Sequence, residues 1–347
     1  MKKNKKINIA VVGIGVMGIR HIEAIEKCKN VNVIAIIDND RKKIAKLNLN
    51  VNCYDSFHDA NKHHEINGAI VSTPNSQHLK NSLEVIDKGC PLLIEKPITT
   101  NSKDALKIVS LSKKKNVDVL VGHHRRHNPI IKKAHEIINK SIIGDIRTVH
   151  INCQMYKPNE YFENSIWKKE KGAGPVFVNL IHDLDLMNYL CGDIKCVQAQ
   201  MHPSKRGYIN EDVCGAILNF KNGAIGTLLV SDSVASPWSW ELTSKENHIY
   251  PSSDETCYFL GGSKGSLSLP GLNFWAHKNE PHWLNPIIKK KFTCKMSDPI
   301  VNQINHFCDI INKIAKPVIG PEGATKTIKV IEAIKKSANI QKVVFVD

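Results

Sequence analysis

Three glycines at the spacing Gly13-x-Gly15-x-x-Gly18 sit within the stretch IAVVGIGVMGIRH, residues 9–21. The chemistry such spacing serves is the grip of a diphosphate. The first glycine permits a tight turn, the second lets backbone approach the pyrophosphate, and the third lets helix and strand pack closely. A helix opening at that turn offers unpaired N–H groups and a partial positive charge. Twenty residues after Gly18, the run VIAIID ends in Asp38. A carboxylate there accepts hydrogen bonds from ribose hydroxyls and repels a 2′-phosphate. Asn39 and Asp40 follow, so the reading is NAD, with nearby Arg41 leaving NADP open. Gly13, Gly15, Val16, Met17, Gly18 and Asp38 are the first candidate cofactor contacts.

Ligands of parallel sheets bind beyond the carboxyl ends of the strands. Past one apolar run, IVSTPNSQH supplies Thr73, Pro74, Asn75 and His78; past the next, LLIEKP supplies Glu95, Lys96 and Pro97. Of these, Thr73, Pro74, Asn75, His78, Glu95 and Lys96 extend the cofactor set. A third run ends in VGHHRRHNP, residues 121–129. Arg125 and Arg126 offer fixed donor forks for hydroxyls or a carboxylate. His124 and Asn128 could add contacts, and a phosphate- or partner-facing surface is the alternative. His123, His124 and His127 lie at i, i+1, i+4, a pattern without a convergent triad, so no metal is expected. Further on, NLIHDLDLMNYL carries His182, which on a helix shares a face with Asp185 at i, i+3. An imidazole with an ordinary pKa of about 6.5 suits proton transfer. A helix-face histidine satisfied by a neighbour is the other reading.

The elements that must hold these residues alternate over the first 120 positions. Continuous Val- and Ile-rich runs (INIAVVGI, VNVIAIID, GAIVST, PLLIEK, VDVLVGHH) read as parallel strands covered on both faces. Helices are expected from Val16 to Lys27, from near Asn75 to Gly89, and from near Asn101 to Lys115. That alternation predicts an α/β Rossmann domain, a doubly wound parallel sheet, over residues 1–125. Residues 126–347 change character. Helices are expected from Asn128-Pro129, over Val176–Leu190, and near 299–315 and 321–338. Strand runs dominate the rest: IRTVHINCQMY, CVQAQMH, CGAILNF, AIGTLLVSD, WSWELTS, CYFLGG and GSLSLP, with a closing VVFV. Asn222-Gly223 marks a hairpin. The second domain reads as α+β with a large, mostly antiparallel sheet.

Composition excludes several classes. The 347 residues carry 48 Lys+Arg against 33 Asp+Glu, a formal charge of +15. Short lysine runs at 2–6, 113–115 and 289–291 are far apart and lack interleaved aromatics, so a dispersed basic surface is expected rather than a nucleic-acid site. No apolar run reaches the roughly 20 residues that span a bilayer. No signal peptide is read at the N-terminus. Ten cysteines without a C-x-x-C pair suit reduced thiols in the cytoplasm.

Taken as an ordered set, the glycine fingerprint, STPN, EKP, GHHRRHNP and GPVFVNLIHDLD resemble the glucose–fructose oxidoreductase / inositol dehydrogenase / MocA (Gfo/Idh/MocA) family. The likeness runs through the C-terminal EGATKTIKVIEAIKKSA. It implies a Rossmann domain followed by an open-faced sheet domain, and a homodimer or homotetramer built on that open sheet. It also implies NAD(P)-dependent hydride transfer at a carbinol carbon of a sugar, an inositol-like polyol or a related cyclic diol. The lysine of EKP, here Lys96, would be catalytic, and His182 would accept the hydroxyl proton. Lys96, His124, Arg125, Asn179 and His182 would contact substrate. Desolvation and a positively charged nicotinamide would both favour a neutral Lys96 amine. Without the resemblance, Lys96 reads as a surface lysine before a turn proline. One departure stands out. Many relatives carry an aspartate four residues before the histidine; here that position is Val178, and Asn179 is the nearest polar residue. The carboxylate would be missing or supplied by Asp183 or Asp185. An NAD-binding regulatory protein without turnover is the rival reading.

Overall fold

The computed structural model describes residues 6–45, 50–163, 166–170 and 172–346. Most of the first lysine run lies outside them.

The chain divides into two compact units, residues 1–127 with 297–328, and residues 128–296 with 329–347. The first begins β1 (Ile7–Val12), α1 (Val16–Glu26), β2 (Val31–Ile37), α2 (Arg41–Ala45), β3 (Asn52–Tyr54) and α3 (Phe57–His63). It continues β4 (Gly68–Val71), α4 (His78–Asp87), β5 (Leu92–Ile94), α5 (Ser102–Lys115) and β6 (Val119–Val121). The six strands pair in parallel in the order β3-β2-β1-β4-β5-β6. This is the doubly wound order, and its switch point falls between β1 and β4. Strands β4, β5 and β6 are wholly buried, which is why they read as unbroken apolar runs. The helix expected from Asn75 begins as a 3-10 turn, Asn75–Gln77, before α4. The Asn101 side chain accepts from the Asp104 N–H and so starts α5.

The second unit runs α6 (Pro129–Asn139), β7 (Ile146–Gln154), α7 (Asn159–Glu163), α8 (Pro175–Val178), α9 (Leu180–Cys191), β8 (Ile194–Pro203), β9 (Glu211–Phe220), β10 (Ile225–Ser231), α10 (Trp240–Thr243), β11 (Tyr258–Gly262), β12 (Ser266–Leu269), β13 (Asn273–His277) and β14 (Ile287–Lys291). The helices α11 (Pro299–Ile311) and α12 (Pro321–Ile340) follow, and β15 (Val344–Phe345) closes the chain. Nine strands form one sheet in the order β14-β13-β12-β11-β7-β10-β9-β8-β15, antiparallel except for the β7–β10 pair. Asn222-Gly223 does turn the β9–β10 hairpin, with Gly223 at φ +88°. One sheet face packs α6, α8, α9 and the later turns of α12 into a core that holds Ile131, Leu184, Met187, Leu228 and Ile334. The opposite face carries Ile217, Thr227 and Phe259, all exposed.

Three expectations are corrected. WSWELTS is no strand: Ser239 caps the short helix α10, and Trp240 is buried and stacked on Tyr258 at 5.7 Å. The single helix read over Val176–Leu190 is broken at Asn179 into α8 and α9. Residues 297–328 belong with the first unit rather than with 126–347. Helix α11 buries Ile300, Ile304, Phe307 and Ile310 in the same core as β1, β4 and β5.

Candidate functional site

At the carboxyl edge of the first sheet, Gly13 takes φ +89° and its N–H donates to the Ile37 carbonyl at 2.8 Å. A Cβ on Gly13 would lie 2.7 Å from the Thr73 nitrogen, and one on Gly18 only 2.0 Å from the Gly13 carbonyl oxygen. Both positions therefore exclude any other residue. Gly15 differs, because a Cβ there meets no protein atom within 4 Å. Its bareness leaves open room in front of helix α1. That helix has no side-chain cap and no acidic residue in its first turn, so its leading N–H groups are left for an anion. Val16 is 87% exposed at the same edge, Met17 is half-buried, and the Ser72 hydroxyl braces the turn by donating to the Gly13 carbonyl at 2.8 Å.

Asp38 closes the turn from the end of β2. One carboxylate oxygen accepts from the Ile14 N–H at 2.9 Å and the other from the Asp40 N–H at 2.8 Å. Each oxygen keeps a further lone pair for a hydroxyl donor. Arg41 is ion-paired with Asp55 at 2.5 Å. The cradle thus fits a dinucleotide: shape at Gly15, donors at α1, acceptors at Asp38.

Thr73, Pro74 and Asn75 stand partly or fully exposed at the end of β4, and the Thr73 hydroxyl accepts from the Asn81 amide at 3.0 Å. His78 is buried instead. Its Nδ1 faces the Pro97 carbonyl at 2.7 Å and its Nε2 faces the Thr73 carbonyl at 2.8 Å. It braces the two strand ends, which corrects its expected role as a cofactor contact. Burial pushes the imidazole below its ordinary range, against the upward pull of those carbonyls and of Glu95. A neutral ring can donate to one carbonyl and an imidazolium to both.

Glu95, at the end of β5, is buried. Its Oε1 lies 2.8 Å from His21 Nε2 and its Oε2 accepts from the Lys96 N–H at 3.1 Å. Burial acts to raise this carboxyl, but the His21 hydrogen bond and the charges of His21, His124 and Lys96 outweigh it and hold it below its ordinary value. Lys96 is half-buried at this edge. Beyond β6, His124 is partly exposed, whereas Arg125 and Arg126 are buried and Arg126 donates to the Val318 carbonyl at 3.1 Å. One arm of the donor fork expected of Arg126 thus goes to backbone. Among the described residues, no group of three or more His, Cys, Asp or Glu is gathered to hold a metal ion.

In the second unit, His182 lies buried in the first turn of α9, where its N–H donates to the Asn179 carbonyl at 3.2 Å. The Asn179 side-chain oxygen accepts from Lys157 Nζ at 2.8 Å, and that ammonium also pairs with Asp232 at 3.2 Å. Arg206 meets the same carboxylate at 2.9 Å. The Tyr258 hydroxyl donates to Asp183, which occupies one of the two carboxylates considered as orienters of His182. Asp185 is buried beside it in sequence. Lys157 and Asp232 were not legible as a pair, lying 75 residues apart.

Two family models match the chain. The oxidoreductase family model with an NAD-binding Rossmann fold covers residues 7–123, and the GFO/IDH/MocA C-terminal domain model covers residues 131–268. Oxidoreductase P35 of Formosa agariphila is 26% identical over 227 residues, which is 63% of this chain and 70% of that protein. An inositol 2-dehydrogenase of Corynebacterium glutamicum is 24% identical over 197 residues, 54% of this chain and 55% of that protein, so the chain spans about half the length of that relative. The WlbA dehydrogenase of Bordetella pertussis, solved in complex with NADH and UDP-GlcNAcA, has the same fold: TM-score 0.79 at 21% identity, covering 99% of each chain. With both halves matched in order, the chain belongs to the Gfo/Idh/MocA family of NAD-binding oxidoreductases.

Proposed function

We propose that the protein is an NAD-dependent dehydrogenase that transfers a hydride between nicotinamide and a carbinol carbon of a sugar, an inositol-like polyol or a related cyclic diol. One observation carries the reading: the bare Gly15 edge, the uncapped start of α1, the Asp38 acceptors and Lys96 all lie at the carboxyl edge of one parallel sheet. The polyol and sugar classes are supported by the relatives named inositol 2-dehydrogenase and WlbA dehydrogenase.

Bound NAD would supply a hydride acceptor at the nicotinamide ring. The chain's part is then to bind, orient and move a proton. Gly13, Gly15, Val16, Met17 and Gly18 hold the diphosphate and Asp38 the ribose; Thr73, Pro74, Asn75, Glu95 and Lys96 complete the cofactor edge. Lys96 holds the substrate hydroxyl and His182 takes its proton. Asn179, His124 and Arg125 bind further substrate oxygens. Asn179 cannot act as a base, and its tie to Lys157 makes it a donor-fixed hydroxyl ligand in place of the carboxylate missing at Val178.

Replacing Lys96 with Met should lower turnover on a polyol and sugar panel by about 10²-fold or more while NADH binding persists. Undiminished turnover would remove Lys96 from the mechanism. The rival, an NAD-binding regulator without turnover, is favoured by Val178. It would be supported if the wild type bound NADH tightly and turned over nothing on the panel. We also propose a homodimer or homotetramer assembled on the open sheet face.

A further inference from the structure

Helix α1 does two things at once. Its first turn faces the space in front of Gly15, and from the next turn His21 reaches the end of β5. His21 is fully buried, and its Nε2 lies 2.8 Å from Glu95 Oε1. The other oxygen of that carboxylate curls back over the chain and accepts the N–H of Lys96 at 3.1 Å. Glu95 N–H is itself fixed to the Val71 carbonyl at 2.8 Å. Room for the folded carboxylate exists because position 122 is glycine: a Cβ there would sit 3.0 Å from Glu95 Oε1. A buried imidazole, a buried carboxylate and a main-chain amide thus form one continuous line from α1 to Lys96.

We propose that His21 is a positioning residue for Lys96, tying the helix that receives the cofactor diphosphate to the lysine that handles the substrate proton, through the Glu95 carboxylate. This rests on the dehydrogenase reading of Lys96. A rigid strand end is not enough for such a lysine, since displacement of a reacting group by about 1 Å can cost 10²-fold in rate. The line also sets the local charge. His21, His78, His124 and Lys96 are titratable groups that face Glu95, and His21 makes the strongest of the contacts that keep it ionised. Loss of His21 removes the strongest contact opposing burial and so shifts the carboxyl toward its protonated form. Lys96 then loses an adjacent negative charge, and its amine becomes easier to deprotonate.

The test uses the full chain loaded with NADH. Trace labelling with acetic anhydride across a pH series, read by peptide mass spectrometry, gives the reactivity midpoint of Lys96 without any substrate. In His21→Leu the midpoint should fall and labelling at pH 7 should rise at least about threefold, a shift of roughly half a pH unit. His21→Gln, which restores a donor near the Nε2 position, should return Lys96 toward wild type. Exposed Lys245, paired with Asp254, serves as the internal control and should not change; a merely structural lesion would move both lysines. Should His21→Leu prove unfolded by circular dichroism, Glu95→Gln must reproduce the same rise. Wild-type reactivity of Lys96 in folded His21→Leu, or in Glu95→Gln, would overturn the proposal. Turnover by Lys96→Met would instead overturn the catalytic reading and leave the labelling result standing.

Discussion

Gly15 and Gly18 separate two demands made by one motif. Adding a methyl at Gly18 drives it into the Gly13 carbonyl, 2.0 Å away. Gly18→Ala should therefore destabilise the first unit by more than about 2 kcal/mol, the upper range of overpacking effects, and lose NADH binding with it. Gly15→Ala meets no protein atom and has a negative φ of −68°. It should keep stability within about 1 kcal/mol of wild type yet weaken NADH at least about tenfold, because the methyl takes the space of the diphosphate. Urea unfolding and NADH titration of the two variants check the split. A second residue-scale prediction concerns acid. The Glu95 carboxyl is held below its ordinary value. Its depressed value contributes stability that is present above about pH 4.5 and lost as pH falls through the folded value. The stability gap between wild type and Glu95→Gln, read by urea unfolding, should therefore be widest near neutrality and narrow on acidification; a constant gap would refute it. At this scale the glycines and Asp38 were legible because their chemistry is written in short spacing. His21 was not, since its partner lies 74 residues away. His78 was read as a ligand because sequence cannot tell an edge residue that faces out from one that turns under.

Elements were legible where local signals and packing agree. The parallel strands of the first sheet are apolar throughout because both faces are covered. Helices α5 and α6 begin where Asn101 and Asn128 accept from the Asp104 and Ile130 N–H groups. Asn101→Ala should cost about 1 kcal/mol in urea unfolding, the usual value of such a cap, with NADH affinity unchanged. No loss of stability would mean that the Asn101 contact adds nothing. The errors arise where tertiary structure decides. WSWELTS alternates like a strand, but Ser239 caps a turn and Trp240 stacks on Tyr258. Strands β13 and β14 escaped notice because NFWAH and IIKKK are exposed or half-exposed throughout and lack a buried face to set a period. Helix α11 looks like any amphipathic helix; only its contacts with α1 and the first core reveal that the chain returns to where it began.

For the whole molecule, the open sheet face is the surface that remains to be accounted for. Thr227 sits opposite Ile217 on β9 and His150 on β7, and His150 sits opposite Phe259 on β11, so these side chains form a row across four strands. Ile217, Leu229 and Phe259 are each close to half exposed on this face. Apolar residues grouped this way mark association surfaces. If the chain assembles there, Leu229→Lys should convert the wild-type oligomer to monomer in sedimentation velocity, and a wild-type monomer would refute the assembly. The charge of +15 suits an anionic cofactor and a dispersed lysine surface equally well. Among the described residues, no helix is long and apolar enough to cross a membrane. The most direct measurement of the central claim is calorimetric titration of NADH into the folded full-length chain. The account predicts saturable heat at one site per chain, weakened at least about tenfold by Gly15→Ala. A folded wild-type chain that gives no heat with NADH or NAD would contradict it.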